Sequence, residues 1–118
     1  MGTGLVVARL NRAGYVEGRP RRGSGRHGVV LASFLQSDVQ GDAAAARALL
    51  ATIAAARCGA APAPEAIGNA FAIAIAARGA TLRNVVLADA PEDYTLDELE
   101  TALETWIAAI GRARMVSP

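Results

Sequence analysis

Asn69-Ala70-Phe71-Ala72-Ile73-Ala74-Ile75-Ala76-Ala77-Arg78-Gly79-Ala80-Thr81-Leu82-Arg83-Asn84-Val85-Val86-Leu87-Ala88 alternates bulky and small residues through its first half. Phe71, Ile73 and Ile75 fall on one side of an extended chain, and Ala70, Ala72, Ala74 and Ala76 on the other, the period of two that a strand imposes. Ala77-Arg78-Gly79-Ala80 supplies the glycine of a tight turn and Thr81 to Leu87 the returning strand, so the segment predicts a β-hairpin over 69–88. A hairpin pairs sequence neighbours antiparallel and argues against a parallel sheet as the frame.

Downstream, Thr95-Leu96-Asp97-Glu98 has the form of a capping box, in which threonine and glutamate satisfy each other's orphan amides. Leu96, Leu99, Leu103, Trp106, Ile107 and Ile110 then recur at helical spacing as far as Gly111. Upstream, Asp42 stands where an N-cap belongs, before the alanine-, leucine- and arginine-rich run Ala43 to Arg57, and Gly59 stands at the C-cap. Leu49, Leu50 and Ile53, with Ala46, Ala54 and Ala56, give that helix a narrow apolar stripe, and Ala60-Ala61-Pro62-Ala63-Pro64 breaks it. Leu5 to Leu10 and Gly28 to Gln36, the latter with Val29, Val30, Leu31, Phe34 and Leu35, read as strands, with Tyr15-Val16-Glu17 as a possible edge segment. The Arg/Gly-rich stretch between them predicts a flexible loop over about 18–28. No internal repeat is present. The expectation is an α+β fold: an antiparallel sheet of about four strands with two helices packed on one face, in a single domain over 1–118.

The chain has 118 residues, 53% of them hydrophobic. Much of that fraction is alanine, which buries little area per residue, so the large apolar groups must concentrate on a few faces of a compact, alanine-lined core. Cys58 is the only cysteine, which rules out an internal disulfide and a metal site built on cysteine pairs, and fits a reducing compartment. Met1-Gly2-Thr3-Gly4-Leu5-Val6-Val7-Ala8-Arg9 has no basic stretch ahead of a sustained apolar run, and no run reaches the roughly 18 residues of a membrane helix. A cytoplasmic protein without a membrane anchor is expected. The twelve basic residues are all arginine. That usage suggests a GC-rich bacterial coding bias more than a functional choice.

The net charge of +1 conceals a polarised distribution. Seven of the eleven carboxylates fall between Asp89 and Glu104, and half of the twelve basic residues between Arg9 and Arg26. Asp97, Glu100 and Glu104 lie beside the apolar stripe of the last predicted helix, with Glu100 and Glu104 an i, i+4 pair of like charge that a basic partner would relieve. Asp89, Glu92 and Asp93 extend the acidic surface through the preceding link. The candidate partner-binding residues are therefore Asp89, Glu92, Asp93, Asp97, Glu100 and Glu104. The plainer alternative is a solvated helix face whose acids favour the positive end of the helix dipole.

Nothing in the spacing assembles a catalytic site. Paired carboxylates would need a cleft and a shifted pKa, and His27 stands among arginines with no nucleophile or carboxylate at a signature distance. It reads as a surface histidine. Cys58, at a helix C-terminus, lacks the dipole that activates a thiol and reads as inert. Trp106, at core spacing, reads as a core anchor. Arg19, Arg21, Arg22 and Arg26, interleaved with Gly18, Gly23, Gly25 and Gly28, match neither a P-loop nor a dinucleotide fingerprint and have only Tyr15 near them for stacking.

From Gly68 to Ile110, the run Gly68-Asn69-Ala70-Phe71-Ala72-Ile73-Ala74-Ile75, a turn, Thr81-Leu82-Arg83-Asn84-Val85-Val86, an acidic link, and Leu96-Asp97-Glu98-Leu99 ending in Trp106 resembles the C-terminal half of bacterial immunity proteins of contact-dependent growth inhibition systems. The resemblance implies a cytoplasmic inhibitor, with no enzymatic activity and no cofactor or metal. It would bind a cognate toxin C-terminal domain, often a nuclease, at 1:1. An acidic surface suits such a partner, because a nuclease that grips a polyanion is basic around its site. The alternative is a small nucleic-acid-binding regulator that uses the arginines of Arg9 to Arg26.

Overall fold

The computed structural model describes residues 4–116. Met1, Gly2 and Thr3, part of the stretch read above for a leader, lie outside them. Ten elements follow one another: β1 (Val6–Leu10), β2 (Val16–Pro20), α1 (Gly25–Phe34), a π-helical turn (Leu35–Val39), α2 (Ala43–Arg57), β3 (Ala66–Ile67), β4 (Phe71–Ala76), β5 (Gly79–Asn84), β6 (Glu92–Tyr94) and α3 (Leu96–Val116). The fold of the described residues is α+β with antiparallel pairing throughout, as expected, but among them there are three α-helices and two sheets. One sheet is the β1-β2 hairpin and the other has the order β3-β4-β5-β6.

The central hairpin forms, Phe71 opposite Asn84, Ile73 opposite Leu82 and Ala76 opposite Gly79, but its turn tightens to Ala77-Arg78 and its returning strand is Gly79–Asn84, not Thr81 to Leu87. Phe71, Ile73 and Ile75 are buried, and Ala72 with them. Asp42 caps α2 by accepting from the Ala45 amide, and Gly59 takes the left-handed conformation beyond its end. In α3 the capping box closes in both directions: the Thr95 amide donates to Glu98 at 2.9 Å and the Glu98 amide to Thr95 Oγ1 at 3.0 Å. The helix does not stop at Gly111 but runs on to Val116.

Two expectations are corrected. Gly28 to Gln36 is not a strand; it forms most of α1 and enters the π-helical turn. Leu31, Ala32, Phe34, Leu35 and Val39 are all buried, a helical stripe that outweighs the local β propensity of Val29 and Val30. The Arg/Gly-rich loop expected over 18–28 shrinks to Arg21–Ser24, because Gly18–Pro20 belongs to β2 and Gly25–Gly28 to α1.

A single buried cluster runs from Val6 to Ile110 and draws on both sheets and all three helices. Helices α1 and α3 each pack against the β1-β2 hairpin and against β5, and α2 packs against α3 and β4. Trp106 sits at the centre, 1% exposed, with its indole donating to the Gln40 carbonyl at 2.6 Å. The β1-β2 hairpin closes on that ring at Gly18, where a Cβ would lie 3.0 Å from Trp106 Cζ3. Alanine and glycine thus let backbones approach where the few large side chains are concentrated.

The Gly68-Asn69-Ala70-Phe71 stretch has a structural task. Asp38, in the π-helical turn, accepts hydrogen bonds from the Ala70 amide at 3.0 Å and the Phe71 amide at 3.1 Å, and Asn69 donates to the Ser37 carbonyl. The Asp38 carboxylate occupies the space that any Cβ at Gly68 would fill. Glycine and asparagine at 68 and 69 therefore clamp the start of β4 to the end of α1. No helix among the described residues is long and apolar enough to cross a membrane.

Candidate partner-binding site

The acidic segment wraps the N-terminal end of α3 and divides into two clusters, one facing α1 and one facing α2. On the α1 side, Glu92 of β6 pairs with Arg26, and its other oxygen lies 2.8 Å from His27 Nδ1. His27 Nε2 lies 3.3 Å from both Glu98 oxygens. The imidazole stacks on the Tyr94 ring with centroids 4.3 Å apart, and the Tyr94 hydroxyl donates to the His27 carbonyl at 2.6 Å. Arg26 also donates to the Ala90 carbonyl.

The electrostatics follow from this enclosure. Burial pulls the His27 pKa down, but the hydrogen bonds and charges of Glu92 and Glu98 outweigh burial and raise it above its ordinary value. Burial also pushes Glu98 up, yet the Thr95 amide and the His27 imidazole outweigh it and hold the carboxyl below the usual range. Desolvation, followed by the charge of Glu92, raises the Tyr94 hydroxyl, which stays neutral and donating. With a carboxylate against each ring nitrogen, His27 ties α1 to β6 and α3 in an arrangement that favours its charged form; a general base would instead need one nitrogen open to substrate. The expectation of a plain surface histidine in a loop is corrected accordingly.

On the α2 side, Arg57 in the last turn of α2 donates to Glu100 at 2.8 Å and to Asp97. The hydrogen bond that Arg57 donates to Glu100 is the leading cause that strengthens the guanidinium's hold on its proton; desolvation opposes it, and the charges of Glu100 and Asp97 add to it. Asp97 remains 89% exposed despite this pair.

The six residues expected at the contact are therefore not equivalent. Glu92, Asp97 and Glu100 meet the chain's own guanidiniums, and Asp93 accepts from Thr81 Oγ1 at 2.8 Å. Asp89, in the link between β5 and β6, and Glu104, on the exposed side of α3, have no hydrogen-bond or ion-pair partner among the described residues. Even so, seven carboxylates between 89 and 104 face only two guanidiniums and one imidazole among the described residues, which leaves this end of the molecule net negative whether or not the imidazole is charged. Sequence reasoning missed Arg26, His27 and Arg57 as neutralising partners. Their contacts span 40 to 71 positions, and no local pattern announces them.

Of the other arginines between Arg9 and Arg26, Arg9 and Arg19 lie on the β1-β2 hairpin. Arg9 and Arg19 are exposed on its outer face with Glu17 between them, Arg9 opposite Glu17 in register and Arg19 4.0 Å from it. Arg21 donates to the Gly4 carbonyl. Cys58 is exposed at the C-cap of α2. Among the described residues no group of three or more His, Cys, Asp and Glu side chains has the arrangement to hold a metal ion. Comparison with protein-family models, with curated proteins and with solved structures finds no match for this chain.

Proposed function

We propose that the chain is a binding module that neutralises a basic protein partner, the toxin C-terminal domain of a contact-dependent inhibition system and most simply a nuclease. The observation that carries this reading is the residual negative charge at the N-terminal end of α3, where Arg26, His27 and Arg57 offset only part of the seven carboxylates. Such a field speeds encounter with a basic surface and offers carboxylates in place of phosphates. The contact rests foremost on Asp89, Asp93 and Glu104, joined by the exposed Asp97 and by Glu100, whose surface pairs with Arg57 a partner's guanidinium can replace. Glu92 serves the fold through His27 and Arg26.

The test uses the product of the adjacent reading frame, which this reading expects to carry a toxin domain. A 1:1 complex is expected, and reversing Asp89→Lys and Glu104→Lys together should weaken it at least about tenfold and flatten its salt dependence. Both side chains lack internal polar partners among the described residues, so folding should be unaffected. Unchanged affinity and salt dependence would overturn the acidic-surface mechanism. A second reading draws on the exposed Arg9 and Arg19 of the hairpin face: binding to DNA or RNA there would fall steeply with salt and vanish in Arg9→Ala, Arg19→Ala.

A further inference from the structure

We infer that the chain binds a nucleotide in the hollow between the tip of the β1-β2 hairpin, the π-helical turn and the last turns of α3. The hollow holds about 720 Å³, within the roughly 300–1,000 Å³ usual for small-molecule sites, and Val16, Ile110 and Ala113 give it apolar surface. Its hairpin wall is fixed in advance. Asn11 Oδ1 accepts from the Ala13 amide at 2.9 Å and the Tyr15 amide at 3.0 Å, and the Asn11 amide donates to the Tyr15 carbonyl at 2.8 Å. That turn carries the Tyr15 ring at 71% exposure, with no polar partner for its hydroxyl among the described residues. In the second wall, Gln40 is held at φ 55° and ψ −139°, a backbone state that a non-glycine residue adopts only against strain. Strained residues and π-helical turns both gather at ligand sites.

Two glutamines that line the hollow are each tied down at one end. Gln36 Oε1 accepts from the Gly18 amide at 3.0 Å, which leaves its NH2 group as a donor. Gln40 Nε2 donates to the Ser37 carbonyl at 2.8 Å, which leaves its Oε1 as an acceptor. A donor and an acceptor oriented beforehand complement the edge of a nucleobase: adenine offers N1 and N6–H, guanine O6 and N1–H. The exposed Tyr15 ring supplies the stacking face, since every base has a π-face to lay on it.

Charge supplies the rest. Glu17 and Arg114 are the charged side chains that line the hollow. Glu17 is engaged, with Oε1 accepting from Asn11 Nδ2 at 3.3 Å and Oε2 4.0 Å from the Arg19 guanidinium, which offsets its charge. Arg114, in the last turn of α3, is exposed and has no hydrogen-bond or ion-pair partner among the described residues. Its full positive charge exceeds the roughly half negative charge of a helix end, so this wall attracts an anion, and the guanidinium fork matches a phosphate. Base face, base edge and phosphate thus meet Tyr15, the two glutamines and Arg114. Ile110 stands about 20 Å along α3 from Asp97, at 1.5 Å per residue, so the hollow is remote from the acidic end and the inference does not depend on the toxin reading.

Amide-shift mapping of the full chain by NMR, with AMP added to about 10 mM, tests it, a range that covers the affinity of a small ligand on an open site. Saturable shifts should gather at Tyr15, Gly18, Gln36 and Gln40. Adenosine and ribose phosphate, each lacking one part of the ligand, should bind at least about tenfold more weakly than AMP. Tyr15→Ala should weaken AMP at least about fivefold. Arg114→Ala should bring AMP down to the level of adenosine and leave adenosine's own binding unchanged. Arg78→Ala, at an exposed arginine on the β4-β5 turn, should change neither. All three side chains are exposed, so thermal melts should stay the same. A single-stranded adenylate hexamer that binds more tightly than AMP would assign the site to an unpaired nucleotide of a strand, and one that binds no more tightly would assign it to the free nucleotide. Absence of saturable shifts would overturn the proposal, as would ribose phosphate binding as well as AMP, or Arg78→Ala costing as much as Arg114→Ala.

Discussion

His27 holds α1, β6 and α3 together through one ring: Glu92 on Nδ1, Glu98 on Nε2, Tyr94 against the face. Since its pKa is raised above 6.5 in the folded chain, the stabilisation it supplies is complete below 6.5 and declines as the pH climbs through the raised value. Glu98, held below 4.5, supplies stabilisation that is complete above 4.5 and declines as the pH falls through the lowered value. The two windows overlap between 4.5 and 6.5. His27→Gln should therefore cost the most within that window and least in the alkaline range. With solvent screening of a partly exposed cluster, the pH-dependent part amounts to a few tenths to about 1 kcal/mol. Thermal melts of both proteins at pH 5.5 and pH 9 check this. A wider gap at pH 9 than at pH 5.5 would show that the imidazole is not held charged.

Between elements, the clamp made by Asp38 joins the π-helical turn to the first residues of β4. Asp38→Ala leaves the Ala70 and Phe71 amides without their acceptor, at a cost of about 1–3 kcal/mol, and Asp38→Asn, which retains one oxygen, should cost less. Denaturant melts give the magnitude. Hydrogen exchange gives the location: protection should fall at Ala70 and Phe71 and persist within α2. This junction also marks where the fold ceases to be legible in the sequence. The hairpin, α2 and the start of α3 announce themselves, because alternation, capping residues and helical spacing are local signals that packing endorses. Helix α1 does not. Val29 and Val30 favour a strand, and only the stripe of Leu31, Phe34, Leu35 and Val39, carried past Phe34 by one π-helical turn, records the helical period. The two-residue β3 and three-residue β6 exist only as pairings with β4 and β5, so no run of residues specifies them. At the site, the sequence displays all the carboxylates but not which of them the fold turns inward.

Across the whole molecule, charge is arranged so that the acidic end carries its own partial antidote. Arg57 reaches from α2 to Asp97 and Glu100. If that end meets a basic partner, Arg57 opposes the encounter, because it cancels part of the attracting field and occupies two carboxylates the partner would use. Removing it should then improve binding, the reverse of what deleting a contact residue does. Arg57→Ala is expected to raise the association rate with the toxin domain about two- to fivefold at low ionic strength. The gain should disappear as salt shortens the screening length to about 3 Å near 1 M. The side chain is exposed, so the melting temperature should barely move. Rapid-mixing association kinetics at two salt concentrations separate the possibilities. A faster, salt-sensitive encounter supports docking on the face of Asp97 and Glu100, whereas a slower one would make Arg57 part of the interface and move the partner to the arginine's side of α2. An unchanged rate would put the contact on a face that this guanidinium does not influence.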